Sequence, residues 1–221
     1  MVITHVGQYV GQADPQVTAP LGDDWLVQAD GYRHRHAARV IVLDGQGRAL
    51  LVRGHDADQV ERSWWFTVGG GIEAGESARQ AAARELREEA GIEVDPQALR
   101  GPVVTRRGKF HFFAETVIQH EVFYLLTVSS HDMPVHAGGW TATEQDLLDE
   151  LAWMTAQELR SQPCEFFPIA LPDILDTLVE QGWDGQVTHL GDEDDDADAG
   201  ALNDAPGDVT GGAVDDAPGG A

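Results

Sequence analysis

The stretch from Trp64 to Gly91 constrains the fold of this chain more than any other part of its sequence. Trp64-Trp65-Phe66-Thr67-Val68 is a short run of aromatic and β-branched residues, and Gly69-Gly70-Gly71 ends it. Glycine adds no side chain to a sheet and has the widest backbone freedom, so three in succession stop a strand and open its backbone to close approach. Ser77 stands three residues before Gln80, the spacing of a capping box, which starts a helix at about Ala78. Ala81 to Glu88 are strong helix formers with no breaker among them, and Gly91 occupies the place of a C-terminal glycine cap. Ala82, Leu86 and Ala90, four residues apart, give the helix an apolar stripe to lay on a sheet.

The flanking sequence supplies the sheet. Ala38 to Leu43 and Arg48 to Arg53 read as a hairpin turning at Asp44-Gly45. Val103-Val104-Thr105 and Phe110 to Phe113 read as strand, followed by a turn near Glu115 and a run from Val117 to Val128. That run alternates, with Gln119, Glu121 and Phe123 on one face and His120, Val122 and Tyr124 on the other. Two helices come late, one around Thr155 to Leu159 and one from Pro168 or Pro172 to Gln181. A mixed sheet with helices packed against it is the natural arrangement, an α/β fold.

With 221 residues, 42% of them hydrophobic, the chain is long enough for one domain with a real core. Three parts are expected: an N-terminal arm over 1–36, a folded body over 37–190, and a disordered acidic tail over 191–221. The arm, which includes Trp25-Leu26-Val27, is expected to pack on the body or on a second subunit, which makes a homodimer possible. The tail is Asp, Ala, Gly and Pro without an aromatic residue and lacks the apolar area that offsets ordering entropy.

Charge and cysteine content narrow the function. The net charge is −24; ten acids and no base lie between Asp192 and Ala221, so residues 1–191 carry the remaining −14. A surface of that sign repels phosphate backbones and argues against a nucleic-acid partner. A phosphate-bearing substrate would have to be recruited locally, by bound cations or by a few arginines. Cys164 is the single cysteine, so no intramolecular disulfide and no cysteine-based zinc site is expected. Neither a secretory leader nor a membrane-spanning run is visible. These features point to a soluble, cytoplasmic protein with no membrane partner.

The chemistry-bearing feature lies on the helix after the glycines. Glu85, Glu88 and Glu89 fall at i, i+3 and i+4, so three carboxylates share one face. Like charges at that spacing repel, and Arg84 and Arg87 do not neutralise them. Hard divalent cations such as Mg²⁺ or Mn²⁺ take oxygen ligands and bridge carboxylates to phosphates, which makes them the economical explanation. For Glu-Leu-Arg-Glu-Glu alone, a solvated helix face is the better reading.

The wider pattern reverses that judgement. Gly70, Glu76, Arg84-Glu85-Leu86, Glu88-Glu89 and Gly91-Ile92, with the intervals between them, resemble the Nudix box at every defined position. With the hairpin, the Trp64-Trp65-Phe66 strand and Leu151-Ala152-Trp153, the resemblance extends over roughly residues 37 to 180. It implies an α/β/α sandwich around a mixed sheet. It also implies hydrolysis of a nucleoside diphosphate linked to another moiety, by water attacking phosphorus. By the same likeness Glu85, Glu88 and Glu89 hold the divalent ions, and Glu85 also helps to activate water. Arg84 and Glu76 form a buttressing ion pair, and Gly70, with Gly71 beside it, lets the backbone approach metal and phosphates. The other functional class is a catalytically silent Nudix-like nucleotide-binding or regulatory module. Such modules lose box carboxylates, and this chain keeps them all.

Outside the box the candidates are ordinary residue types. Glu121 is the first choice for a further catalytic acid or extra metal ligand, because it shares a strand face with Gln119 and an unpaired acid in the middle of a strand needs a reason; Glu115 and Glu144 are alternatives. Arg39, Arg53, Arg106 and Arg107 are candidates for phosphate or ribose contacts. His34 and His36 are candidates for an edge of the site, and Trp64, Trp65, Phe110 and Phe112 for base stacking. Short patterns that mark family subgroups are not matched. Thr105-Arg106-Arg107-Gly108 has neither the proline of ADP-ribose hydrolases nor the tyrosine of diadenosine-polyphosphate hydrolases.

Overall fold

The sheet is organised around one long strand, β2 (Arg33–Leu43), whose inner half, Ala37 to Leu43, is almost wholly shielded from solvent. The computed structural model describes residues 24–55, 61–112, 115–129 and 147–195. Most of the N-terminal arm (1–23), Phe113, Glu144 and the tail beyond 195 lie outside the described residues. A two-residue strand, β1 (Leu26–Val27), precedes β2 and pairs with it. Asp44 closes the turn into β3 (Ala49–His55): its carboxylate accepts from the Gln46 and Arg48 amides, both at 2.9 Å. β4 (Ser63–Gly71) leads through the glycines into α1 (Ala78–Ala90). A 3-10 turn (Pro96–Ala98) then precedes the long antiparallel pair β5 (Arg100–Phe112) and β6 (Glu115–Thr127). β7 (Leu148–Met154), α2 (Ala156–Arg160), β8 (Glu165–Phe166), α3 (Leu171–Gln181) and β9 (Thr188–Asp194) complete the chain.

Among the described residues the strands join one mixed sheet in the order β7-β3-β4-β2-β6-β5-β9, with β1 on β2 and β8 on β4. β2–β6, β4–β8 and β5–β9 run parallel, and the other pairs antiparallel. Side chains alternate across each strand, so the sheet has two apolar faces. On one, Ala38, Val40, Val42, Val68, Tyr124 and Leu126 pack against Ala82, Leu86 and Ala90 of α1. On the other, Ile41, Leu43, Leu51, Trp65, Phe123 and Leu125 pack against Leu159 of α2 and Leu171 and Leu175 of α3. This is the expected α/β/α sandwich.

Three expected boundaries move. β2 starts at Arg33, ahead of both Ala38 and the body's expected start at 37, because Arg33 to Ala37 are in register with Val117 to Glu121 of β6. β5 is continuous from Arg100 to Phe112, where two shorter pieces were expected, because β6 supports its outer half through Phe110–Val117 and Phe112–Glu115. β9 carries the folded chain to Asp194, past the expected end at Leu190, since Gly191 to Asp194 pair with Arg106 to Lys109 of β5. The arm's Trp25 is buried against the body, with its ring edge toward Phe110 at 6.4 Å and under the Arg35 guanidinium at 4.5 Å. No helix among the described residues is long and apolar enough to cross a membrane.

Candidate active site

Caps hold α1 at both ends. Ser77 and Gln80 form the capping box, with Gln80 Oε1 accepting from the Ser77 amide at 2.9 Å and Ser77 Oγ from the Gln80 amide at 3.3 Å. Gly91 ends the helix in the left-handed region, φ 68°, and its amide reaches the Arg87 carbonyl at 3.0 Å. With the stripe Ala82-Leu86-Ala90 pressed on the sheet, the next face of the helix turns Glu85 and Glu89 to the glycines of β4. Both are nearly buried, at 6% and 4% exposed, as seldom happens to carboxylates unless they have a task or a partner.

The glycines make room for them. A Cβ on Gly70 would lie 2.6 Å from Glu85 Oε1 and 2.9 Å from Oε2, so any side chain there would push that carboxylate aside. Gly69 has φ 141°, and its amide donates to Glu89 Oε2 at 2.8 Å. Arg84 ties the loop to the helix. Its Nη2 donates to Glu76 Oε1 at 2.7 Å and to the Gly71 carbonyl at 2.8 Å, and its Nε to Glu76 Oε2 at 3.3 Å. Its Nη1 bridges Glu85 Oε1 at 2.8 Å and Glu88 Oε2 at 3.1 Å. The hydrogen bond to Glu76 and the carboxylates of Glu85 and Glu88 strengthen its hold on its proton. Burial raises the Glu76 pKa, but Arg84 and the Glu73 amide outweigh it and leave Glu76 below its ordinary value.

The box residues Gly70, Gly71, Glu76, Arg84, Glu85, Glu88 and Glu89 therefore come together as one constellation. As they stand, no three histidine, cysteine, aspartate or glutamate side chains among the described residues surround a single point. Glu85 and Glu88 share the Arg84 guanidinium, and Glu89 faces the Gly69 amide. The donor set nevertheless fits a hard divalent cation. It offers carboxylate oxygens from three residues of one helix, two of them nearly dehydrated.

Glu121 does not join them. It lies on the Phe123 face of β6, opposite α1, and both its oxygens are engaged: Oε1 by Arg39 Nε and, at 2.7 Å, by Gln119 Nε2, and Oε2 by Arg106 Nε. Burial raises its pKa, but Arg106 and Arg39 outweigh it and hold the carboxyl at about 2. Glu121 is thus a permanent anion between two cations, unsuited to taking a proton near neutrality. Glu115 is exposed and pairs with Arg33 Nε at 3.0 Å. Arg106 is clasped by Glu193 at 3.0 Å and Asp195 at 2.7 Å, and Arg53 pairs with Glu150 at the far end of β3. Trp65 is core, and Trp64 packs near Phe167 with ring centroids 6.4 Å apart.

The histidines gather on the α1 side. His34 and His36 stack on His120 at 5.2 and 4.9 Å between centroids, and His34 Nδ1 lies 3.0 Å from His120 Nε2. Burial and the imidazoles of His36 and His34 lower the His120 pKa. His36 is one step along β2 from the Ala37–Gly71 pair, which places the row beside the glycine end of β4.

Sequence reasoning missed Arg35 and Asp24. Arg35 Nε donates to Gln119 Oε1 at 2.8 Å, its Nη1 lies 3.6 Å from Asp24, and both side chains crowd the face of Gly71. Treating Arg33-His34-Arg35-His36 as strand would have placed Arg35 on one face with Arg39, but its charged composition reads as loop.

Comparison with known proteins places the chain in a family. A family model described as the NUDIX domain matches residues 33–172. An uncharacterised Nudix hydrolase of Yersinia pestis is 30% identical over 146 residues, 66% of this chain and 71% of that protein. The uncharacterised Nudix hydrolase YfcD of Escherichia coli K12 is also 30% identical over 146 residues, 66% of this chain and 72% of that protein. An RNA pyrophosphohydrolase of Dinoroseobacter shibae is 42% identical over 62 residues, 28% of this chain and 37% of that protein.

Proposed function

From the premise that the chain belongs to the Nudix family of hydrolases acting on diphosphate bonds, we propose that it is a Mg²⁺- or Mn²⁺-dependent pyrophosphohydrolase. Its proposed substrate is a nucleoside diphosphate linked to a second moiety. The observation that carries the proposal is the pair of nearly buried carboxylates, Glu85 and Glu89, held by α1 against the glycines of β4 with Arg84 bridging Glu85 to Glu88.

Glu85, Glu88 and Glu89 would hold the cation. When bound, it supplies polarisation of the diphosphate and stabilisation of the charge that develops as water attacks phosphorus. Arg84 keeps Glu76, the Gly71 carbonyl and the carboxylates in one rigid frame, so little reorganisation accompanies the reaction. The bare backbone at Gly70 lets the Glu85 carboxylate lie directly against the strand. Glu85, pressed over Gly70, is the proposed acceptor of the proton from the attacking water. A surface of −24 repels polyphosphate, which favours a small substrate drawn in by the cation over a long nucleic acid. The silent binding module is disfavoured because every box carboxylate is present.

The test is chromatography of the phosphorylated products formed from ADP-ribose, NADH, dinucleoside polyphosphates, nucleotide sugars and nucleoside triphosphates, with Mg²⁺, with Mn²⁺ and with chelator. Cleavage of one compound only with metal supports the hydrolase and identifies the substrate class. A compound that raises the melting temperature while none is cleaved would move the binding module ahead.

A further inference from the structure

The buried ion pair between Arg39 and Glu121 looks at first like a structural tie, since it lies across the sheet from α1. Its cost argues for more. Moving both charges out of water is expensive, and apolar side chains of similar size would hold two strands together at least as well. What the pair offers instead is direction. Arg39 Nη1 donates to the Thr67 carbonyl at 3.0 Å and to the Gly69 carbonyl at 3.1 Å, while its Nε is held by Glu121. The same Gly69 offers its amide to Glu89 Oε2 at 2.8 Å. One residue therefore has its carbonyl clamped by Arg39 and its amide on a proposed metal ligand.

Gly69 is a position that needs clamping. Its φ of 141° is open to glycine alone, and a Cβ there would lie 2.6 Å from Arg39 Cα, so no side chain of its own can anchor it. Two more glycines follow. Glu121 is fixed in turn by Gln119 and Arg106, and Arg39 also lies over the Phe66 ring at 5.2 Å.

We propose that Arg39, oriented by Glu121, is a positioning residue for Glu89: by holding the Thr67 and Gly69 carbonyls it fixes the backbone conformation of Gly69, and the Gly69 amide sets the direction of the carboxylate that binds the cation. The inference rests on the reading of Glu89 as a metal ligand. It gives Glu121 a role at the site without making it a catalytic acid.

The experiment is titration of the full chain with Mn²⁺ alone, followed by electron paramagnetic resonance of the free ion. The proteins are the unmodified chain, Arg39→Met, Arg39→Lys, Glu121→Gln, Glu89→Gln and the Arg39→Met/Glu89→Gln double variant. Circular dichroism and melting temperature establish which of them fold. Arg39→Met is expected to weaken Mn²⁺ binding about tenfold or more, the usual scale for residues that orient a metal ligand. Arg39→Lys is expected to recover only part of that, because one ammonium cannot span two carbonyls and Glu121. In the Glu89→Gln background Arg39→Met is expected to add less than about twofold, because coupled residues are not additive. Multiplying losses, or folded Arg39 variants with unchanged Mn²⁺ affinity, would overturn the inference. Should Arg39→Met fail to fold, Arg39→Lys and Glu121→Gln decide the matter by the same criterion. A chain that binds no Mn²⁺ at all defeats the metal reading itself; one that binds it and loses it with Glu89→Gln but not with the Arg39 variants defeats only this inference.

Discussion

A single methyl group is enough to test the heart of the site. Alanine at Gly70 would place its Cβ 2.6 Å from Glu85 Oε1, closer than real Cβ atoms come, so the carboxylate or the strand must shift. A misplacement of that size near reacting atoms typically costs about 10²-fold in rate. Gly70→Ala is therefore expected to lose about that much turnover with little change in melting temperature; full activity would show that Glu85 does not work from its observed place. A second residue makes a statement about pH. Burial pushes the Asp195 carboxyl up to about 7, with Glu121 and Glu193 adding to the rise and Arg106 opposing it. The folded chain thus keeps a proton that the unfolded chain releases near 3.8. This group's contribution to stability is complete below the lower value and is lost as pH rises through about 7. Between about pH 5 and 8 the unmodified chain is expected to lose melting temperature relative to Asp195→Asn. Parallel curves would contradict the assignment.

Elements were legible where local chemistry decides them. α1 was readable from end to end because Ser77, Gln80 and Gly91 cap it and Ala82, Leu86 and Ala90 face it inward. The box carboxylates came with it, since helical spacing fixes which side chains share a face. Ser77→Ala is expected to cost about 1 kcal/mol by removing a cap, and a loss near zero in a urea melt would show that the cap is redundant. Strands supported by partners were harder to read. The outer half of β2 is Arg33-His34-Arg35-His36, which looks like loop until β6 is seen alongside it. The second half of β9, Gly191 to Asp194, reads as tail by composition because its acids find bases only in three dimensions: Arg106 for Glu193 and Lys109 for Asp194. Glu121 was singled out as a catalytic acid because a mid-strand carboxylate needs a reason; the reason the fold supplies is ion pairing with Arg39 and Arg106, which lie on neighbouring strands and which no spacing within one segment reveals.

The whole molecule joins a sheet core to an acidic C-terminal strand, and the join can be cut. Ending the chain after Gly191 removes Glu193, Asp194 and Asp195 and leaves Arg106, a buried cation, with Glu121 as its one ionic partner among the described residues. Breaking a buried charge cluster costs roughly 3 kcal/mol, or about 5–10 °C in melting temperature for a domain of this size. Ending the chain after Asp195 keeps β9 and is expected to change the melting temperature by less than about 2 °C. Equal stability of the two truncations would show that β9 adds nothing to the fold.

At the same scale stands the claim that the chain hydrolyses diphosphates through a cation held by α1. It is tested most directly by the rate of cleavage of the compound found in the substrate panel, measured against Mg²⁺ concentration for the unmodified chain and for Glu89→Gln. The expected result is a saturable dependence on Mg²⁺ and a loss of about 10²-fold or more in the variant, with its melting temperature preserved. Cleavage that ignores Mg²⁺, or a Glu89→Gln chain as fast as the original, would contradict the account.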